Sequence, residues 1–84
     1  MPSDEIANDV RAAIRQYESG KISLFGCAMR IEQCGVELAD IHREEGDELK
    51  TIALRLAACE VSNDALPVSI LRELRVLAAR MDLL

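Results

Sequence analysis

Apolar side chains recur along this chain at three- and four-residue intervals, the period of one helix face. The first run is Ile6, Val10, Ala13, Ile14 and Tyr17. Ser3 ahead of it is a good N-cap, and Asp4 and Glu5 fall in the first turn, against the positive end of the helix dipole. Gly20 follows, in the place where a residue without a Cβ takes the left-handed conformation that closes a helix. The connection Lys21-Ile22-Ser23 is so short that the first two helices are expected to be antiparallel neighbours. Ser23 is placed to cap the second helix, and Ile22 to staple back onto Cys27.

The second stripe reads Leu24, Ala28, Ile31, Cys34 or Gly35, Leu38 and Ile41, and it keeps its period through Gly35. Either one helix runs from Leu24 to about Glu44, or Gly35 bends or breaks it. A mid-helix glycine costs ~1 kcal/mol against alanine, which favours the break. Gly46-Asp47 then restarts the chain, with Asp47 as N-cap of a third helix whose apolar face is Leu49, Ile52, Ala53, Leu56 and Cys59 or Glu60. A polar loop from Val61 to Leu66 leads to Pro67, a residue favoured at the first helical position. The fourth stripe is the cleanest: Pro67, Ile70, Leu71, Leu74, Leu77, Ala78, Met81 and Leu84. Four short amphipathic helices with brief connections predict an all-α fold, a compact antiparallel four-helix bundle in a single domain over residues 1–84.

Composition agrees. Eleven Leu, eleven Ala, seven Ile and five Val supply most of the apolar half of the 84 residues, with one Tyr, one Phe and no Trp. Ala and Leu favour helices, and the scarcity of aromatic and β-branched runs argues against a β-sandwich. No stretch approaches the ~18–20 apolar residues of a membrane span, and the N-terminal segment is acidic where a signal peptide is basic. The expected compartment is therefore the cytoplasm, with no membrane partner. Cys27, Cys34 and Cys59 are odd in number and form no CxxC, so they are expected to be buried, reduced thiols.

Charge is what separates this chain from any other small helical domain. The net charge is −5, and the segment from Glu32 to Glu48 holds seven acids and one base, Arg43. The rest of the chain is nearly balanced. A basic face for phosphate neutralisation is missing, which disfavours nucleic acid as a direct partner. A helix-turn-helix reading of the last helix meets the same objection, because Arg72, Arg75 and Arg80 stand there beside Glu73 and Asp82. Enzymatic machinery is not expected either. His42 is the only histidine, its neighbours Arg43, Glu44 and Glu45 offer no nucleophile, and no phosphate-cradling loop, GxSxG or HExxH occurs. No metal site and no cofactor are expected, since no ligand pair has zinc spacing. The acidic stretch itself reads either as a solvated face or as a recognition surface for a basic protein: Glu37, Asp40, Glu44, Asp47 and Glu48 lie off the apolar stripe at spacings that allow one continuous patch, and Glu45 joins them as a candidate contact residue.

The segment Ile14-Arg15-Gln16-Tyr17-Glu18-Ser19-Gly20-Lys21-Ile22-Ser23 resembles the opening of the colicin D-type immunity proteins. In that family an amphipathic helix ends in an aromatic residue, followed by a Ser-Gly-Lys-Ile-Ser/Thr turn and a second helix. The chain departs from the family inside the second helix, where Gly26-Cys27-Ala28 stands in place of an aromatic residue and Phe25 comes earlier. The resemblance implies a small cytoplasmic inhibitor of a cognate bacterial toxin nuclease, often one that cleaves tRNA. Such an inhibitor covers a basic active-site cleft with carboxylates. The alternative expectation is a self-associating adaptor or structural bundle, a homodimer through the fourth helix, where Val68, Val76 and Leu83-Leu84 add apolar surface beyond the main stripe.

Overall fold

The described residues of the computed structural model form four helices: α1 (Pro2–Glu18), α2 (Leu24–Ala39), α3 (Arg43–Ser62) and α4 (Val68–Met81). It describes residues 2–62 and 68–84, with the backbone alone at 60–62. Helix α1 starts at Pro2, one residue ahead of the expected cap. Proline suits that position because its missing N–H would have no helical partner. Ser3 therefore lies inside the first turn and is buried.

The first junction follows its sequence signals closely. Gly20 has φ +81°. Its N–H donates to the Tyr17 carbonyl at 3.0 Å, and that of Lys21 to the Gln16 carbonyl at 2.8 Å. These are the two bonds of a Schellman closure. Ser23 is extended, and its Oγ accepts from the Gly26 N–H at 3.0 Å, capping α2. Ile22 packs on the core that contains Cys27.

The second junction differs from expectation. Helix α2 runs unbroken through Gly35 and ends at Ala39. The amides of Ile41 and His42 both reach back to the Leu38 carbonyl, at 3.0 and 2.7 Å, and the Gly46 amide bonds the His42 carbonyl at 2.9 Å. Helix α3 thus begins at Arg43, and Asp47 is a helical residue, not a cap. Ile41 leaves the core stripe for the turn and is exposed.

Both glycines are explained by the α2–α3 crossing. A Cβ at Gly46 would lie 2.4 Å from the Ala39 nitrogen and 2.5 Å from its Cα. One at Gly35 would lie 2.7 Å from Lys50 Cγ and 2.9 Å from the Gly46 carbonyl oxygen. Gly35 faces Lys50 and the Gly46 carbonyl, and Gly46 faces Ala39 one turn further along, so the backbones approach where side chains would hold them apart. The helix-propensity cost of glycine is offset by that close packing.

The helices form a ring, α1 against α2, α2 against α3, α3 against α4, and α4 back on α1, each pair antiparallel. The direction is visible in the ion pairs. Glu48 meets Arg80 while Arg55 meets Glu73, and Arg11 meets Asp82 while Glu18 meets Arg75. The predicted stripes line the centre: Val10, Ile14, Ile31, Leu38, Leu49, Leu56, Leu74, Leu77 and Met81 are fully buried. Ala7 and Cys27 join them, and Tyr17, Leu24, Cys59 and Leu84 pack at the margin. Helix α3 continues to Ser62, so residues 61 and 62 are helical instead of loop. The remainder of the expected loop and Pro67 lie outside the described residues. No described helix is long and apolar enough to cross a membrane.

Candidate acidic interaction surface

The antiparallel order brings the start of α1, the end of α2, the start of α3 and the end of α4 to one end of the bundle. The six acidic residues singled out above all lie there. Asp40 ends α2, Glu44, Glu45, Asp47 and Glu48 occupy the first turns of α3, and Glu37 is in the last turn of α2. They do not form one continuous face. Glu37 borders the α1–α2 groove together with Asp9, Arg30 and Gln33, whereas Glu48 borders the α3–α4 groove. Asp40, Glu44, Glu45 and Asp47 lie between these two grooves, at and after the turn.

Their electrostatic surroundings divide the set again. Asp47 is held by Lys50 Nζ at 3.3 Å and lies 3.9 Å from Arg43 Nε. Glu48 accepts from Arg80 at 3.2 Å, which ties α3 to α4. Glu37, Asp40, Glu44 and Glu45 have no cationic partner among the described residues. They are turned to solvent, with Glu45 half-buried. The sequence could locate the excess charge. It could not show which carboxylates other helices neutralise, because Arg80 is distant along the chain.

The larger groove, about 520 Å³, runs between α3 and α4 over Ile52, Val76 and Leu77. Across it Arg55 grips Glu73 through two bonds of 3.0 and 2.8 Å. That bidentate contact holds the Glu73 carboxyl below its ordinary range and the guanidinium above its own. No disulfide joins Cys27, Cys34 or Cys59 among the described residues. Burial pushes Cys27 up, and pushes Cys34 up to about 11, with Asp9 and Glu37 adding to the second shift. Cys59 is only half-buried, less than expected. Among the described residues no cluster of three or more His, Cys, Asp or Glu is placed to hold a metal ion. His42 sits half-buried at the residue before α3.

No family model matches the chain, and none of the curated proteins or solved structures compared with it matches either.

Proposed function

We propose that this chain is an immunity-type inhibitor, which binds and neutralises a cationic bacterial toxin nuclease, one that cuts tRNA. The carboxylates at the α2–α3 end take the place of the nucleic acid's phosphates in the enzyme's basic cleft. The observation that carries this is the concentration of seven acids and one base within Glu32–Glu48, six of the acids gathered by the fold at one end of the bundle, with Glu37, Asp40, Glu44 and Glu45 unmatched by cations among the described residues. The resemblance of residues 14–23 to the colicin D-type immunity proteins supports the same partner class. Complementary charge of this kind speeds encounter and rejects wrong partners. The inhibitor performs no chemistry of its own.

The test is co-expression with the product of the adjacent upstream gene, followed by native mass spectrometry. A salt-sensitive 1:1 complex with a basic, toxic nuclease is the expected result. Reversing Glu37, Asp40, Glu44 and Glu45 to Lys should abolish it while the circular dichroism spectrum stays unchanged. These four are chosen because reversing Glu48 would also strip the bond to Arg80. Undiminished affinity after the reversals would reject the mechanism.

A second reading is favoured by one observation. Val68 and Val76 are at least half exposed on α4, and Leu83 beyond it is largely exposed. A homodimer would cover them. Light scattering that reports a monomer at micromolar concentrations removes this option.

A further inference from the structure

Exposed ion pairs contribute little each, so carboxylates alone make a fast complex but not a tight one. Affinity comes from apolar anchors seated within a polar rim. The outer face of α2 has both. Phe25, Met29 and Val36 recur there at helical spacing, directly opposite the buried stripe, and are 50%, 57% and 46% exposed. Glu32 and Asp40 lie on the same outward side, and Glu37 lies at its α1 edge. Helix α2 takes part in no ion pair among the described residues, and its one cation, Arg30, is engaged by Gln16.

The other exposed apolar strip, on α4, is set differently. Two of its flanking arginines are already neutralised, Arg75 by Glu18 at 2.7 Å and Arg80 by Glu48. A second copy is a poor occupant for α2, since an isologous pair would set Glu32, Glu37 and Asp40 against their own equivalents.

We propose that the outer face of α2, with Phe25, Met29 and Val36 as anchors and Glu32, Glu37 and Asp40 as rim, is the docking site for a cationic amphipathic segment of the partner protein. This deepens the acidic-surface reading, on which it rests for the sign of the partner's charge. It moves the centre of the interface from the turn onto α2 and requires the partner to offer apolar side chains beside its lysines or arginines.

The experiment uses the full ¹⁵N-labelled chain and two synthetic probes, an amphipathic Leu/Lys helix and an oligolysine of equal charge. Amide shifts on titration should concentrate along α2 from Phe25 to Asp40, and the amphipathic probe should bind about tenfold or more tightly than oligolysine. The double variant Phe25→Ser, Met29→Ser should erase that advantage and leave oligolysine binding unchanged. Both side chains are outside the core, so the variant should keep its thermal midpoint. Equal affinity of the two probes, or shifts confined to Glu44 and Glu45 with no effect of the double variant, would overturn the α2 site while leaving the acidic-surface reading intact. Shifts centred on α4, or no saturable binding of either probe, would also overturn it. The charge reversals against the toxin then judge the broader reading separately.

Discussion

Replacing Gly46 by alanine probes the α2–α3 crossing directly. In an exposed helix interior the change stabilises by about 0.8–1.0 kcal/mol, through backbone entropy. Here the new methyl would fall 2.4 Å from the Ala39 nitrogen, 2.5 Å from its Cα and 2.7 Å from its Cβ. Favourable contact between such atoms begins near ~3.5 Å, so the helices must separate by about 1 Å. Main-chain atoms of a packed helix cannot rotate aside as the end of a lysine can. Separation loosens the seam that buries Leu38, Leu49 and Ala53. Overpacking typically costs ~1–3 kcal/mol, and an overlap with backbone falls at the upper end or beyond. Net of the propensity gain, Gly46→Ala should destabilise by about 2 kcal/mol or more. For a domain of this size that lowers the thermal midpoint by roughly 8–16 °C.

Two other glycines make the experiment specific. At Gly26 a Cβ would meet only the Ser23 Oγ at 3.3 Å and the Ile22 Cβ at 3.7 Å, both side-chain atoms. Gly26→Ala should therefore fall between neutral and ~1 kcal/mol stabilising. Gly20 has open space but φ +81°, so Gly20→Ala should cost ~1 kcal/mol through backbone strain alone. Thermal and urea unfolding followed by circular dichroism would rank the three. A midpoint for Gly46→Ala at or above that of the parent chain would refute the close-approach account of Gly46.

Removing the cap hydroxyl with Ser23→Ala should cost ~1 kcal/mol, because the Gly26 amide loses its acceptor; urea midpoints at constant slope would show it. Cys27 and Cys34 should resist a thiol reagent at mildly alkaline pH in the native protein, with Cys59 reacting first and all three reacting in denaturant; rapid native labelling of Cys34 would contradict its burial. The Arg55 contact depresses the Glu73 pKa, so its stabilisation is present above the unfolded value of ~4.3 and is lost as pH falls through the lower folded value. Glu73→Gln should thus be less stable than the parent at neutral pH and equal to it in strong acid. Carboxyl NMR titration supplies the folded value, and a Glu73 midpoint in the ordinary range would contradict the bidentate contact.

Most of the helical layout was legible because its causes are local. The stripes, Gly20 and Ser23 each act within a turn or two of themselves, so spacing and residue type were enough. Gly35 misled for the opposite reason: read locally, a glycine weakens a helix, but its purpose is to admit Gly46 and Lys50 from another helix. Gly46 misled in the same way, since Gly-Asp before an apolar stripe looks like a helix start. The first turn of α3 carries Arg43, Glu44 and Glu45 with no apolar residue, so periodicity gave no signal there. The acidic segment was legible as charge. Its division between two grooves, and the pairing of Asp47 and Glu48, depended on helix rotation and on Lys50 and Arg80. Phe25, Met29 and Val36 stood in view as apolar residues off the core stripe, at intervals of four and seven, and that spacing was the available signal for a second face on α2.

Two kinds of physics hold the two sides of this ring, and the difference bears on function. Helix α4 and the residue after it receive four ion pairs from their neighbours, from Arg11, Glu18, Glu48 and Arg55. Helix α2 is held by shape, through the glycine crossing with α3 and the buried residues of its inner stripe. Carboxylates on the α4 seams therefore carry a structural duty, and altering them disturbs packing as well as charge. Glu37, Asp40, Glu44 and Glu45 at the α2–α3 end tie no two helices together among the described residues. They can be reversed with little effect on the fold, since isolated surface charges contribute little to stability. Salt should act unequally too: exposed seams lose a modest increment, whereas long-range attraction to a cationic partner is screened beyond ~8 Å at physiological ionic strength. A surface that can change sign without unfolding the bundle is free to follow the chemistry of a partner, and under the proposal made above that surface is the one centred on α2.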